Sequence, residues 1–166
     1  MSRPIELVLH CFQVLCGVLA CLWRDDATLP YFAVWVNGPD GRRRTVGDGV
    51  VEIDIIEQQG RLIGDTSSRV DLNVHFTDGA HHQPTVDIDA SADFHVWAMQ
   101  WQEGRIDWYL DSRRIGTYTG PTPQEKMFIL IALFQYSGWI GTIDPNLTYP
   151  RDFEIDYVRV YARTAK

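Results

Sequence analysis

From about residue 30 onward the chain is a succession of short runs rich in β-branched and aromatic residues, each closed by turn-forming residues. No segment after residue 30 keeps a 3.6-residue apolar period, so helical and two-layer α/β architectures are excluded. The expected strands are Tyr31 to Val36, Val50 to Glu57, Val70 to Phe76, Thr85 to Ile88, Phe94 to Gln102, Arg105 to Leu110, Arg114 to Tyr118, Met127 to Phe134 and Phe153 to Ala162. Between them lie Asn37-Gly38-Pro39-Asp40-Gly41, Thr77-Asp78-Gly79-Ala80, Gln102-Glu103-Gly104 and Gly120-Pro121-Thr122-Pro123, all suited to turns. About nine strands at this spacing predict an all-β sandwich of two antiparallel sheets. Two hairpins are explicit: one turns at Gln102-Glu103-Gly104, where glycine accepts a positive φ, and the next at Asp111-Ser112-Arg113.

The 166 residues, 45% hydrophobic and 12% aromatic, suffice for one domain with its own core. A formal net charge of -7 opposes a phosphate backbone, and no basic cluster is interleaved with aromatics, so nucleic acid is excluded as a partner. Arg42-Arg43-Arg44 follows strong turn chemistry and reads as a solvated loop tip. The three cysteines, at 11, 16 and 21, leave everything after them without an intrachain disulfide, and their spacing suits neither a CxxC motif nor a zinc site.

The one long apolar run, Ile5 to Trp23, forms the expected N-terminal segment 1–29, set apart from a domain over 30–166. It admits an export signal, a buried helix, a strand pair or a spurious start. Arg3 and the stretch Val18-Leu19-Ala20-Cys21 favour export to an extracellular or periplasmic place, with a lipid anchor at Cys21; Glu6 and His10 inside the run oppose it. A stable membrane span is not expected from an apolar stretch this short and interrupted.

Chemistry concentrates in Val50-Val51-Glu52-Ile53-Asp54-Ile55-Ile56-Glu57. Alternation puts Glu52 and Asp54 on one face of a strand and Val51, Ile53 and Ile55 on the other. Carboxylates two residues apart repel, which raises at least one pKa unless a partner relieves it. Glu57 falls on the wrong parity, and a β-bulge near Ile55-Ile56 would return it to the acidic face. On an ideal strand Glu52 and Glu57 would stand ~16 Å apart, whereas a retaining glycosidase needs roughly 5–5.5 Å, so a catalytic pair here requires a concave sheet.

The string Glu52-Ile53-Asp54-Ile55-Ile56-Glu57 resembles the ExDxxE signature of glycoside hydrolase family 16, which includes laminarinases and other β-glucanases on a concanavalin-like jelly-roll sandwich. Asp93-Phe94-His95, Gln100-Trp101 and the run Arg105 to Asp111 are similar to the strand pair that follows the catalytic strand in that family, and Phe153 to Tyr161 resembles its closing strand. The resemblance covers about Pro30 to Ala162. It implies a retaining, endo-acting hydrolase of β-1,3 or mixed β-1,3/1,4 glucan, with Glu52 as nucleophile, Glu57 as general acid and base, and Asp54 tuning both. A polysaccharide is then the expected partner. No cofactor is required, and Asp156 resembles a structural calcium ligand of some members.

Asn73 and His75 alternate on the strand after the acids and are expected to touch sugar, as are Trp35, Phe134 and Trp139 through their rings. Trp97 and Trp108, on the opposite parity from their polar neighbours, are expected in the core. Family domains carry more chain ahead of the catalytic strand than the roughly 50 residues found here, which predicts an N-terminally incomplete sandwich. Ala132 stands where relatives often have Asn. Two further readings use the same residues: a glycan-binding module without turnover, and a transglycosylase that excludes water from the intermediate.

Overall fold

The structure of the chain, a computed structural model, describes residues 14–21, 31–37, 52–75, 80–82, 84–122, 128–134, 137–140, 142–143, 145–146 and 154–162, with side chains described over 52–75, 84–122, 129–133, 137–138, 142–143, 145–146 and 154–161. Its strands are β1 (Val14–Cys21), β2 (Tyr31–Asn37), β3 (Glu52–Gln59), β4 (Ser68–Arg69), β5 (Leu72–His75), β6 (Ala80–His82), β7 (Thr85–Val86), β8 (Phe94–Gln102), β9 (Arg105–Leu110), β10 (Arg113–Thr119), β11 (Phe128–Phe134) and β12 (Glu154–Ala162). One sheet runs β10-β9-β8-β1-β12 and the other β11-β2-β3-β5-β6, with β4-β7 as a separate pair. Every pairing is antiparallel. The all-β sandwich expected from the strand spacing is therefore the architecture found.

β8 and β9 have the bounds read from the sequence, and Gly104 takes φ 73° in the turn between them. The turn into β10 puts Asp111 and Ser112 at φ 47° and 69°, a region that costs energy for residues with a Cβ. The Asp111 carboxylate offsets that cost: it accepts the Val96 N–H at 2.9 Å and lies 2.8 Å from His95 Nδ1. A short helix, α1 (Ser137–Ile140), interrupts the β text where no helical period is legible, as one turn is too short to show one.

The N-terminal apolar run resolves into a strand over its second half. β1 is hydrogen-bonded on both sides, to β8 and to β12, so the sandwich takes in residues ahead of the boundary expected at residue 30. Cys21 pairs with Phe94 and Glu154 inside this ladder, and a cut ahead of it would remove the strand from the sheet. Among the described residues no helix is long and apolar enough to cross a membrane.

Between the sheets, Ile53, Ile56, Leu72 and Val74 meet Trp97, Met99, Trp101, Ile106, Trp108 and Leu110, all buried in one continuous cluster. Trp97 and Trp108 are fully buried, as their parity predicts. Trp108 packs beside Gly116 at a bulge in β10, where a Cβ would lie 3.3 Å from the indole and 3.2 Å from Leu72. Its indole N–H crosses the core and donates to the backbone carbonyl of Asp54 at 2.8 Å. Removing that donor leaves a buried carbonyl unsatisfied, which costs about 1–3 kcal/mol. Trp108→Phe, which keeps most of the ring area, is thus expected to lower the urea midpoint by that amount of stability, and an unchanged midpoint would show that the bond carries no weight.

Candidate active site

The site is built on β3 and β5, neighbours in the second sheet. β3 pairs with β2 through Trp35↔Asp54 and then Val34↔Ile56, so Ile55 is an extra residue with no partner in that ladder. The same surplus appears on the β5 side. Ile53 pairs with Val74 and Glu57 bridges Asp71, so four steps along β3 match three steps along the neighbouring chain. The bulge required by the parity of Glu57 is present, and Glu52, Asp54 and Glu57 fall on one face of the sheet.

The facing chain puts His75 opposite Glu52 and Asp71 opposite Glu57, with Asn73 between. His75 Nε2 lies 3.0 Å from Asp54 Oδ2 and 3.3 Å from Glu52 Oε1, bridging the two carboxylates. Asn73 Nδ2 donates to Glu57 Oε2 at 2.7 Å. Asn73 is 3% exposed, and its side-chain amide serves the acid. Asn73 and His75, two of the five residues expected to touch sugar, thus lie beside the acids, each in contact with a carboxylate.

The three acids sit in different surroundings. Glu52 is half-buried, Asp54 is fully buried, and Glu57 is 6% exposed. Burial pushes the Glu57 carboxyl from its ordinary 4.5 up to about 7, against the pull of the nearby His75 and the Asn73 hydrogen bond, while Asp71 adds to the rise. A carboxyl that keeps its proton near neutrality can act as a general acid. Among the described residues Asp54 Oδ1 has no hydrogen-bond partner, and Glu52, Asp54 and His75 form a group whose donor atoms lie within 4.8 Å of one another.

Other expected site residues are placed by backbone alone. Register puts Trp35 opposite Asp54 and Phe134 opposite Tyr31, and Trp139 falls in α1; their side chains lie outside the described residues. Ala132 pairs with Ala33, which pairs with Glu57, so the position where relatives often carry Asn is on the row of that acid. Asp156 is exposed at an irregularity in β12, and shares a surface hollow with Phe94, Glu154 and Ile155.

Sequence reading missed Asp71, which exchanges both backbone hydrogen bonds with Glu57, each 2.9 Å, and is 5% exposed. Its parity with Asn73 and His75 was a usable signal. The Trp108 bond to Asp54 left no sequence signal, because its partners are 54 residues apart.

The family model for glycosyl hydrolases family 16 matches residues 32–159. The chain belongs to that family. A β-glucanase of Brevibacillus brevis is 31% identical over 119 residues, which are 68% of this chain and 43% of that protein. A glucan endo-1,3-β-glucosidase A1 of Niallia circulans is 30% identical over 129 residues, 66% of this chain and 19% of that protein. The chain thus spans less than half the length of these curated relatives. Among solved structures, an endo-β-1,3-glucanase from Pyrococcus furiosus superposes with a TM-score of 0.76 at 23% identity, over 95% of this chain and 64% of that one. The laminarinase catalytic domain of Thermotoga maritima gives 0.74 at 20%, over 97% and 67%. These likenesses establish the family 16 jelly-roll sandwich as the fold.

The raised Glu57 pKa has a consequence for stability. The native state holds this proton more tightly than the unfolded chain, so the stabilisation is full below pH 4.5 and is lost as pH rises through about 7. The difference is on the order of 3 kcal/mol. Glu57→Gln, neutral throughout, is expected to flatten that decline in denaturant titrations between pH 4.5 and 8, and an equally steep decline in the variant would place the titrating group elsewhere.

Proposed function

We propose that this family 16 chain carries the catalytic acids of a retaining endo-β-glucanase that cleaves β-1,3 or mixed β-1,3/1,4 linkages by double displacement. The observation that carries this reading is the division of labour along one bulged strand: Glu57 buried and proton-holding, Glu52 partly exposed and held by His75. The relatives' names, which specify endo-1,3-β-glucan and β-glucan hydrolysis, support the substrate class. A glucan polymer does not pass a membrane intact, which favours an extracellular or periplasmic place of action.

In the first step the Glu52 carboxylate attacks the anomeric carbon while Glu57 gives its proton to the departing glycosidic oxygen. A covalent glycosyl ester on Glu52 results, and Glu57 is left as a carboxylate. In the second step Glu57 takes a proton from water, whose oxygen attacks the same carbon from the face the leaving group vacated, and Glu52 is released. The two inversions retain the anomeric configuration. Asp54 and His75 hold Glu52 in place, His75 being within 3.3 Å of it. Asn73 stabilises the Glu57 anion that exists between the two proton transfers, through its 2.7 Å hydrogen bond.

The deciding measurement is release of reducing sugar from laminarin and from mixed-linkage glucan. Glu52→Gln is expected to lower it by more than about 10³-fold on either substrate, and activity within tenfold of wild type would remove Glu52 from the role of nucleophile. A folded wild type that binds glucan without turnover would identify a binding module, and dominant transfer products a transglycosylase. Asn73→Leu removes a donor that favours the Glu57 anion, so the alkaline limb of the kcat/KM profile is expected to move to higher pH; a limb that stays put would separate Asn73 from the titration.

A further inference from the structure

We propose that Glu52, Asp54 and His75 form a reversible site for a borderline-soft divalent cation such as Zn²⁺, and that its occupation closes the acid face by taking the Glu52 carboxylate. The closure part of this inference rests on the nucleophile assignment above; the binding part stands on geometry alone. Three donors of the types zinc accepts, one imidazole nitrogen and two carboxylate oxygens, already converge. His75 Nε2 is 3.0 Å from Asp54 Oδ2 and 3.3 Å from Glu52 Oε1, and all three atoms lie within 4.8 Å of one another. Ligands at zinc bond lengths of about 2.0–2.2 Å in a tetrahedron are separated by about 3.3–3.5 Å. The two histidine edges are already near that spacing, and the Glu52–Asp54 edge, within 4.8 Å, completes one face of a coordination tetrahedron when the carboxylates turn toward a shared ion.

A second observation points the same way. Asp54 is fully buried, yet among the described residues its Oδ1 has no hydrogen-bond partner. A buried carboxylate oxygen without a donor carries a desolvation cost that a cation on the same carboxylate relieves. With a neutral imidazole the three groups sum to a formal charge of −2, matched by one divalent ion. Glu52 and His75 each retain exposed side-chain surface, 16% and 14%, which gives the ion an approach. Three protein ligands leave a fourth position for water, the pattern of an exchangeable site. The single nitrogen donor selects against Mg²⁺ and Ca²⁺, which prefer oxygen in greater number.

Calorimetric titration of the full, tag-free chain with ZnCl₂ tests this. Wild type is expected to bind with a micromolar dissociation constant, His75→Gln at least about tenfold more weakly, and millimolar MgCl₂ is expected to give no binding heat. Equal zinc affinity in wild type and His75→Gln would overturn the proposal, as would no binding to wild type. Because the variant could lose its fold, Co²⁺ added to wild type supplies a second reading. Visible d–d absorption without thiolate charge transfer, displaced by Zn²⁺, supports nitrogen and oxygen ligation; thiolate bands would assign the metal to the cysteines and overturn it. Neither readout needs turnover, so a wild type that binds zinc but never cleaves glucan removes the proposed function and keeps the site. Glucan cleavage with no zinc binding removes only the site.

Discussion

The placement of the acids depends on one backbone irregularity, the extra residue at Ile55, and on how the core accommodates it. A bulge takes backbone groups out of the ladder, and a buried group without a partner costs as much as a lost hydrogen bond. Here the Asp54 carbonyl, next to the extra residue, accepts the Trp108 indole N–H from the opposite sheet. The indole can lie there because Gly116 leaves the space a Cβ would take. One aromatic ring thus packs the two sheets together and satisfies the strand at the point where its regularity is broken. Without the bulge, strict alternation would point Glu57 into the apolar core with Ile53 and Ile55.

The same strand then separates its carboxyl groups by what faces each of them. Antiparallel pairing puts an imidazole opposite Glu52 and another carboxyl, Asp71, opposite Glu57. A neighbour that can carry positive charge favours an anion, and a neighbouring acid together with burial favours a held proton. The register of β3 against its neighbour thus places Glu52 and Glu57 in unlike surroundings, an asymmetry that the proposed double displacement would use. A slip of one residue would exchange core and cleft faces along the whole strand.

Much of this was legible in the sequence. Alternation and turn residues gave the sandwich, the bounds of β8 and β9 and the burial of Trp97 and Trp108, and the wrong parity of Glu57 called for a bulge at the place where it occurs. What escaped depends on long-range pairing. An apolar run such as residues 5–23 fits a buried strand or a buried helix equally well by period, so only the ladders to β8 and β12 identify β1. Asn73 and His75 were visible as polar residues on one face, but which groups they meet depends on register, and register puts them on the acids. Asp71 lies just ahead of β5, and only its pairing with Glu57 shows what it meets.

His75 ties these threads together, because one imidazole lies against two carboxylates at 3.0 and 3.3 Å. Carboxylates on alternate positions of one strand, Glu52 and Asp54, face the same side and repel each other. A ring shared between the two acids relieves that repulsion without fixing its own protonation: a proton or a divalent cation on that edge of the ring satisfies the same pair. The contact that would hold the proposed nucleophile Glu52 is therefore also the contact on which the proposed metal site is built. Both properties follow from having two acids on alternate positions of one buried strand and a histidine directly across from the first.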